Sequence, residues 1–508
     1  MTEQIMESRG DRRSYQRSNR ESKENVQLPF VTPLIWSFLL AFFSVANPFL
    51  TQLATNLQEQ ILYGGWALQQ GQMVYENFYG TAGILFYLLI WLGSFYQGAA
   101  LLSLFQFVFF YISGRKAYRF AYNLTGNQHV AGASTHFFYF LTLILGFGGL
   151  YAPLFTLPLL LVALETLLQI SQGEVGNKIF LRYGALASIV VMIDPFVGTF
   201  FFGINFLYLT YHNLRQRQIG VGVSQLLSGL IGFSLVFYPL GYVTVFNGTF
   251  GLALNQGSYI WQTMNFHMAS FWQPALFYFL VLLGLGLPIG LWGLRQAPRT
   301  REGLFFLPLG VLGSLATWLV ASSQAEFGFH QLLPGLVYFW LIQIFLFDRL
   351  QAGVQHGRHQ KAQTERPLFR KYVATLFYLP LLLGTVLVLL PLGIRTIGEA
   401  EVQEERQELR SYIQAEADRS DTLYAWDSRA NWYQEVEMWS ASSLLSPDYY
   451  LALPENQIRL TNDLEGGRPR YVVVNQSQPL LDEVERELST NYSEIETDLN
   501  QFKLYERK

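Results

Sequence analysis

The chain contains no cysteine, which removes thiolate metal sites, disulfides and cysteine nucleophiles together. Charge is scarce as well. Only 14% of the 508 residues are Asp, Glu, Lys or Arg, against roughly 25% in soluble domains, so a single soluble domain is excluded. No Gly-Lys-Ser/Thr phosphate loop, HExxH, GxSxG or dinucleotide fingerprint occurs, leaving ATP-driven transport, zinc hydrolysis and serine-esterase chemistry without a motif. A net charge of −3 with no basic stripe argues against nucleic-acid binding. What is present is apolar: 51% hydrophobic and 16% aromatic residues, with a mean hydropathy of +0.21.

Apolar segments recur near 28–50, 81–96, 99–113, 130–148, 153–170, 181–193, 196–211, 222–243, 272–293, 303–322, 332–347 and 372–393. The first is about the 20 residues that cross a bilayer as a helix, and no small-residue cleavage pattern follows it. Basic residues in short connections are retained on the cytoplasmic side. Arg349, Arg358, Lys361, Arg366, Arg370 and Lys371 therefore mark an inner loop. Further back, Arg295, Arg299 and Arg301, then Arg215 and Arg217, then Lys178 and Arg182, then Arg115, Lys116 and Arg119 fall on the same side. With the basic N-terminal tail also inside, one segment has to stay uncrossed for the C-terminus to lie outside. The short, glycine-containing 81–96 is expected to lie in the outer interface instead.

The reading is an α-helical polytopic protein of the cell membrane, with about 11 transmembrane helices plus interfacial helices and a C-terminal extracytoplasmic α/β domain. Its expected parts are a disordered cytoplasmic tail at 1–27, a transmembrane region at 28–394 with a large outer loop at 51–98, and the outer domain at 395–508. That last part carries 23 acidic against 12 basic residues, while the first 394 residues carry 14 against 22. Within it a helix is expected over 399–419, strands at 423–426 and 471–475, a helix at 479–490 and two short closing strands. Glu404, Glu405 and Glu408 are expected to pair with Arg406 and Arg410 at i,i+4 spacing on an exposed helix.

The outer loops hold few charges. Loop 51–98 has Glu59 and Glu76 but no Lys or Arg, and neither basic residue occurs in 244–271 or 323–331. Asn56, Glu59, Gln60 and Tyr63 fall at i, i+3, i+4 and i+7, so they share one helical face. Asp194, between Ile193 and Pro195, marks a helix break at the outer surface, where a charge costs less than at mid-membrane. His267 and His330 sit in outer loops, whereas His356 and His359 fall inside. Each has a structural competitor: Glu59 as a solvated capping residue, Asp194 as a helix terminator, and Glu76, His267 and His330 as structural or interfacial polar groups.

This layout resembles the polytopic glycosyltransferases of the GT-C type, which take sugars from polyprenyl-phosphate carriers and include protein mannosyltransferases and the lipid A aminoarabinose transferase. The likeness rests on a first crossing, an acidic outer-loop helix ending in Gly71-x-x-x-Tyr75, an interfacial segment and many crossings. Tail segments such as Thr422-Leu423-Tyr424-Ala425-Trp426-Asp427 and Pro469-Arg470-Tyr471-Val472-Val473-Val474 also match. The resemblance implies transfer of a sugar from a polyprenyl-phosphate carrier to a cell-envelope polymer, lipid or protein on the outer face.

The chain departs from the family pattern at the chemistry. Where the catalytic aspartate is expected stands Asn56, the acid that often follows is Leu57, and the uncharged 150–155 lacks a second outer-loop acid. Glu59, one turn on, is then the expected base with Asn56 beside it. Glu76, Gln60, Tyr63, Asp194, His267 and His330 are the expected substrate contacts. A leaving phosphate needs a positive partner, and the candidates are His267, His330, Arg395, an arginine of the tail, or a divalent metal ion. The competing expectation, motivated by Asn56 and the missing cations, is a non-catalytic relative acting in transport or assembly of envelope polysaccharide.

Overall fold

The computed structural model describes residues 29–95, 99–173, 176–287, 301–356, 400–418, 420–467, 469–497 and 499–508, with 384, 386 and 393 singly. The tail 1–27, Arg295, Arg299, His359, Arg395 and nearly all of the last expected crossing at 372–393 lie outside these residues.

Apolar sequence becomes helix here because, in a bilayer, every backbone N–H and C=O has to be bonded within its own segment. The helices are α1 (Val31–Phe42), α2 (Asn56–Gln69), α3 (Ile84–Gly93), α4 (Ala100–Thr125), α5 (Gln128–Leu145), α6 (Ala152–Ser171) and α7 (Asn177–Ile193). After them come α8 (Pro195–Arg215), α9 (Ile219–Phe246), α10 (Phe250–Gly257), α11 (Tyr259–Gln262), α12 (Met268–Gly284), α13 (Arg301–Ser323) and α14 (Leu336–His356). Four stretches among the described residues are long and apolar enough to cross a membrane: Ala152–Ser171, Ile219–Phe246, Glu302–Ser323 and Phe329–Gln351. The last lies at the centre of the bundle and α9 at its rim. α9 lies tightly on α7: a Cβ on Gly184 would meet the Gly229 carbonyl at 1.9 Å, and one on Gly232 the Leu181 carbonyl at 1.9 Å. Such small-residue contacts let helix backbones approach in lipid. α3 has 10 residues, about 15 Å, half of a hydrocarbon core.

One end of the bundle gathers the connections expected to be outer. Val45 N–H donates to the Gly148 carbonyl at 2.8 Å, Gly83 N–H to Ile193 at 2.9 Å and Asn265 N–H to Ser323 at 2.8 Å. Gly80 N–H donates to Gln256 Oε1 at 2.8 Å. Towards the other end of the bundle, Lys116 pairs with Glu165 at 3.0 Å.

The C-terminal part stands on the first end. α15 (Ala400–Glu416) leads into β1 (Thr422–Trp426), α16 (Trp432–Glu435), β2 (Trp439–Ser440), α17 (Pro454–Gly467), β3 (Tyr471–Asn475), α18 (Asp482–Asn491), β4 (Tyr492–Ile495) and β5 (Phe502–Arg507). The sheet order is β2-β1-β3-β5-β4, with β1 parallel to β2 and β3 and the last strands antiparallel. β3 is buried along its length. The two arginines expected to pair within α15 reach partners beyond it. Arg406 turns inward to Asp427 at 2.8 Å, Arg410 pairs with Glu435, and Glu405 accepts the backbone N–H of Gln501 at 2.8 Å. The sheet's own buried acid draws the arginine, a demand that helical spacing alone does not reveal.

Candidate functional site

α2 begins in a capping box, Thr55 accepting from Gln58 N–H while the Gln58 side chain returns to Thr55 N–H at 2.9 Å. The helix shows two faces to two cavities. Glu59 and Leu62 line a larger cavity of about 800 Å³, and Leu57 and Ile61 line a smaller one of about 110 Å³.

The polar face of α2 is held by the C-terminal domain. Asn56 Nδ2 donates to the Ser428 carbonyl and to Ser446 Oγ, both at 2.7 Å, and Gln60 Nε2 donates to Asn56 Oδ1 at 2.8 Å. Glu59 forms an ion pair with Arg429 and accepts Ala430 N–H at 2.8 Å. Both partners are buried, Glu59 at 2% and Arg429 at 6% exposure. Burial pushes the Glu59 carboxyl above its ordinary range, opposed by the Arg429 charge and the Ala430 N–H. The Tyr63 ring meets that of Tyr433 at 5.5 Å.

The segment 427–431 that reaches α2 is fixed from behind. Asp427 accepts Arg406 Nε at 2.8 Å and Nη2 at 2.9 Å, Trp432 Nε1 at 2.8 Å, Asn475 Nδ2 at 2.7 Å and Ser428 N–H at 2.8 Å. Burial alone would raise this carboxyl, but the hydrogen bonds and charge of Arg406, with Asn475 and Trp432, hold it below its ordinary value. In the larger cavity Arg429 is joined by Arg410, and the buried Nε of each arginine has no hydrogen-bond partner. Unpaired guanidinium N–H groups beside a cavity suit the oxygens of an anion, phosphate above all.

The smaller cavity is roofed by Tyr449 and Tyr450 and lined by Asp194, Glu326 and His330, with no Lys or Arg among its lining residues. Asp194 caps α8 by accepting Val197 N–H at 2.8 Å, and burial pushes its carboxyl up to about 6. Glu326 accepts the Tyr259 hydroxyl and, at 3.1 Å, Tyr450 N–H. Burial raises its carboxyl, with Tyr259 opposing. His330 stacks on Tyr151 at 5.3 Å.

The sequence-derived residues thus fall into three groups. Glu59, Asn56, Gln60 and Tyr63 lie between α2 and the C-terminal domain. Asp194 and His330 both line the smaller cavity. Glu76 and His267 are exposed and line neither cavity. Among the described residues no three His, Asp or Glu side chains gather in a group fit to hold a metal ion. Sequence reasoning did not single out Arg410, Arg429 or Glu326. A signal for Arg429 existed, because it follows Trp426-Asp427 at the carboxyl end of a parallel strand, where α/β domains present ligand-binding loops.

Comparison with known proteins fits this architecture. No curated protein matches the chain. In solved structures it is similar to ArnT from Cupriavidus metallidurans. The undecaprenyl phosphate-bound crystal structure gives a TM-score of 0.54 at 12% identity, covering 93% of this chain and 97% of that one. The apo structure gives 0.57 at 11% identity, covering 93% and 96%. At this identity the likeness is one of fold, the GT-C type architecture of a multi-pass membrane protein with a small C-terminal sheet domain. Residues 18–397 match the competence-induced Ccs4 N-terminal domain family and residues 403–508 the Ccs4 C-terminal domain family. The chain belongs to the competence-induced Ccs4 family, built on a GT-C type fold.

Proposed function

We propose that the protein takes a polyprenyl-phosphate-linked sugar at the outer membrane face and transfers the sugar to a cell-envelope acceptor. The observation that carries this reading is the larger cavity, where one buried carboxylate, Glu59, stands with two arginines, Arg410 and Arg429. Transfer from a phosphate carrier needs a base for the acceptor hydroxyl and positive charge on the leaving phosphate. Glu59 supplies the first. The arginines supply the second, which the outer loops themselves lack.

The ArnT structure holding undecaprenyl phosphate supports a carrier lipid of this class. In the same reading, residues 395–508 lie outside the membrane and 1–27 inside, and carrier phosphate and acceptor hydroxyl meet in the larger cavity, where Glu59 lies. The second reading, carrier binding without transfer, is favoured by the Glu59–Arg429 ion pair itself, which occupies the carboxylate.

The test is a transfer assay on purified full-length protein in lipid nanodiscs, given a radiolabelled polyprenyl-phosphate sugar. The family is described as competence-induced, so the acceptor fraction is drawn from envelopes of competent cells. Release of free carrier by the wild type, reduced about 10²–10⁴-fold in Glu59→Gln, is the expected result. Lipid binding with no release supports the second reading.

A further inference from the structure

We propose that Arg429 is a removable partner of Glu59: a phosphate ester entering the larger cavity draws the guanidinium onto its own oxygens, so that carrier arrival switches the carboxylate from neutralised to basic. The inference rests on the carrier reading above and adds the order of events.

Three observations and one general property of arginine lead to it. The ion pair lies at the cavity wall, where incoming anion and Glu59 compete for one guanidinium. Arg429 is only partly committed: Nη2 donates to the Gln52 carbonyl at 3.1 Å, while the buried Nε has no partner. A phosphate oxygen pair matches the planar fork of arginine and carries at least as much charge as a carboxylate. Finally, Ser428, Arg429 and Ala430 follow directly on Asp427, whose carboxylate hydrogen bonds fix the segment. The arginine side chain can therefore turn while Ala430 N–H stays on Glu59.

Once Arg429 has turned, Glu59 keeps one backbone hydrogen bond in a buried setting, and a carboxylate in that state binds a proton more tightly. The charged groups around it are Arg429 from the 427–431 segment, Arg410 from α15 and Glu435 from α16, with the neutral Ala430 N–H as a hydrogen-bond donor. Asp448 lies 3.5 Å from Asn56 Nδ2, three residues before Glu59. In the transfer step the acceptor hydroxyl gives its proton to Glu59. A bond forms from the acceptor oxygen to the anomeric carbon, the bond from that carbon to the carrier phosphate oxygen breaks, and its electron pair remains on the phosphate beside Arg429 and Arg410. Without carrier the base stays neutralised.

The experiment uses full-length protein in nanodiscs and undecaprenyl phosphate as the probe. Lipid binding is measured together with the Glu59 carboxyl, followed by infrared difference spectroscopy over a pH series and assigned with Glu59→Gln. In the wild type, binding is expected to strengthen proton binding by Glu59 at least about tenfold, one unit of pKa. Arg429→Gln is expected to show the strengthened carboxyl before lipid is added and to bind lipid about 10- to 100-fold more weakly. Arg429→Lys keeps a positive partner and serves as the folded control, with intermediate behaviour. Normal lipid binding with no Glu59-dependent change overturns the handover alone. Undiminished lipid binding in both Arg429→Gln and Arg410→Gln overturns the carrier site itself.

Discussion

Asp427 is the residue whose loss should be felt most widely, and Asp427→Ala is the perturbation. It is fully buried, and Arg406 is 1% exposed. Removing the carboxylate takes two charge-assisted hydrogen bonds from the buried Arg406 guanidinium and strips Trp432 Nε1 and Asn475 Nδ2 of an acceptor. Breaking one partner from a buried pair costs about 3–5 kcal/mol. In a domain of this size, about 4 kcal/mol corresponds to a fall of roughly 15–30 °C in Tm. The assay is thermal unfolding of the full-length protein in detergent, followed by tryptophan fluorescence and by hydrogen exchange of residues 420–475. A loss below about 1 kcal/mol refutes the reasoning. The double variant Arg406→Met with Asp427→Leu should recover much of the stability, because a packed apolar pair replaces a buried ion pair at little cost. The pH dependence has a fixed sign. The folded-state carboxyl is held below its ordinary value, so the unfolded chain binds this proton more tightly. The contribution is complete above about pH 4 and disappears as pH falls through the folded-state value.

Asn56→Asp puts an acceptor against the Ser428 carbonyl, so it should weaken docking of the C-terminal domain by about 1–3 kcal/mol. Faster proteolysis of the 427–448 region checks this, and unchanged protection refutes it. Asp194→Asn keeps the helix cap and removes a carboxyl whose folded-state value of about 6 lies above the ordinary 3.8. The wild type loses stability as pH rises through that window, so the variant should gain on it by up to about 3 kcal/mol above pH 6, read from Tm across pH. Gly83→Ala places a Cβ 2.2 Å from the Met192 carbonyl. A destabilisation of about 1–3 kcal/mol is expected in the same thermal assay, and a neutral result contradicts the close approach.

Much of the C-terminal fold was legible. The strands expected at 423–426 and 471–475 are β1 and β3, and the helix expected at 399–419 contains α15, because alternating and helical apolar patterns there carry little ambiguity. The elements that escaped, α16, β2 and α17, lie in the tyrosine- and serine-rich 432–467, where no period stands out. The shared face of Asn56, Glu59, Gln60 and Tyr63 was readable from helical spacing, but its occupant was not. Arg429 lies 370 positions away in sequence, and a contact of that separation leaves no local pattern. The same holds for Glu326, which the structure joins to Tyr259 and Tyr450.

The most direct measurement is a structure of the full-length protein in lipid nanodiscs with undecaprenyl phosphate. The account predicts phosphate density between Arg410 and Arg429, beside Glu59, with the Arg429 guanidinium turned from the carboxylate to the phosphate. Phosphate density at the bundle end that carries Lys116 and Glu165, or a lipid-bound state with both arginines untouched, would contradict it.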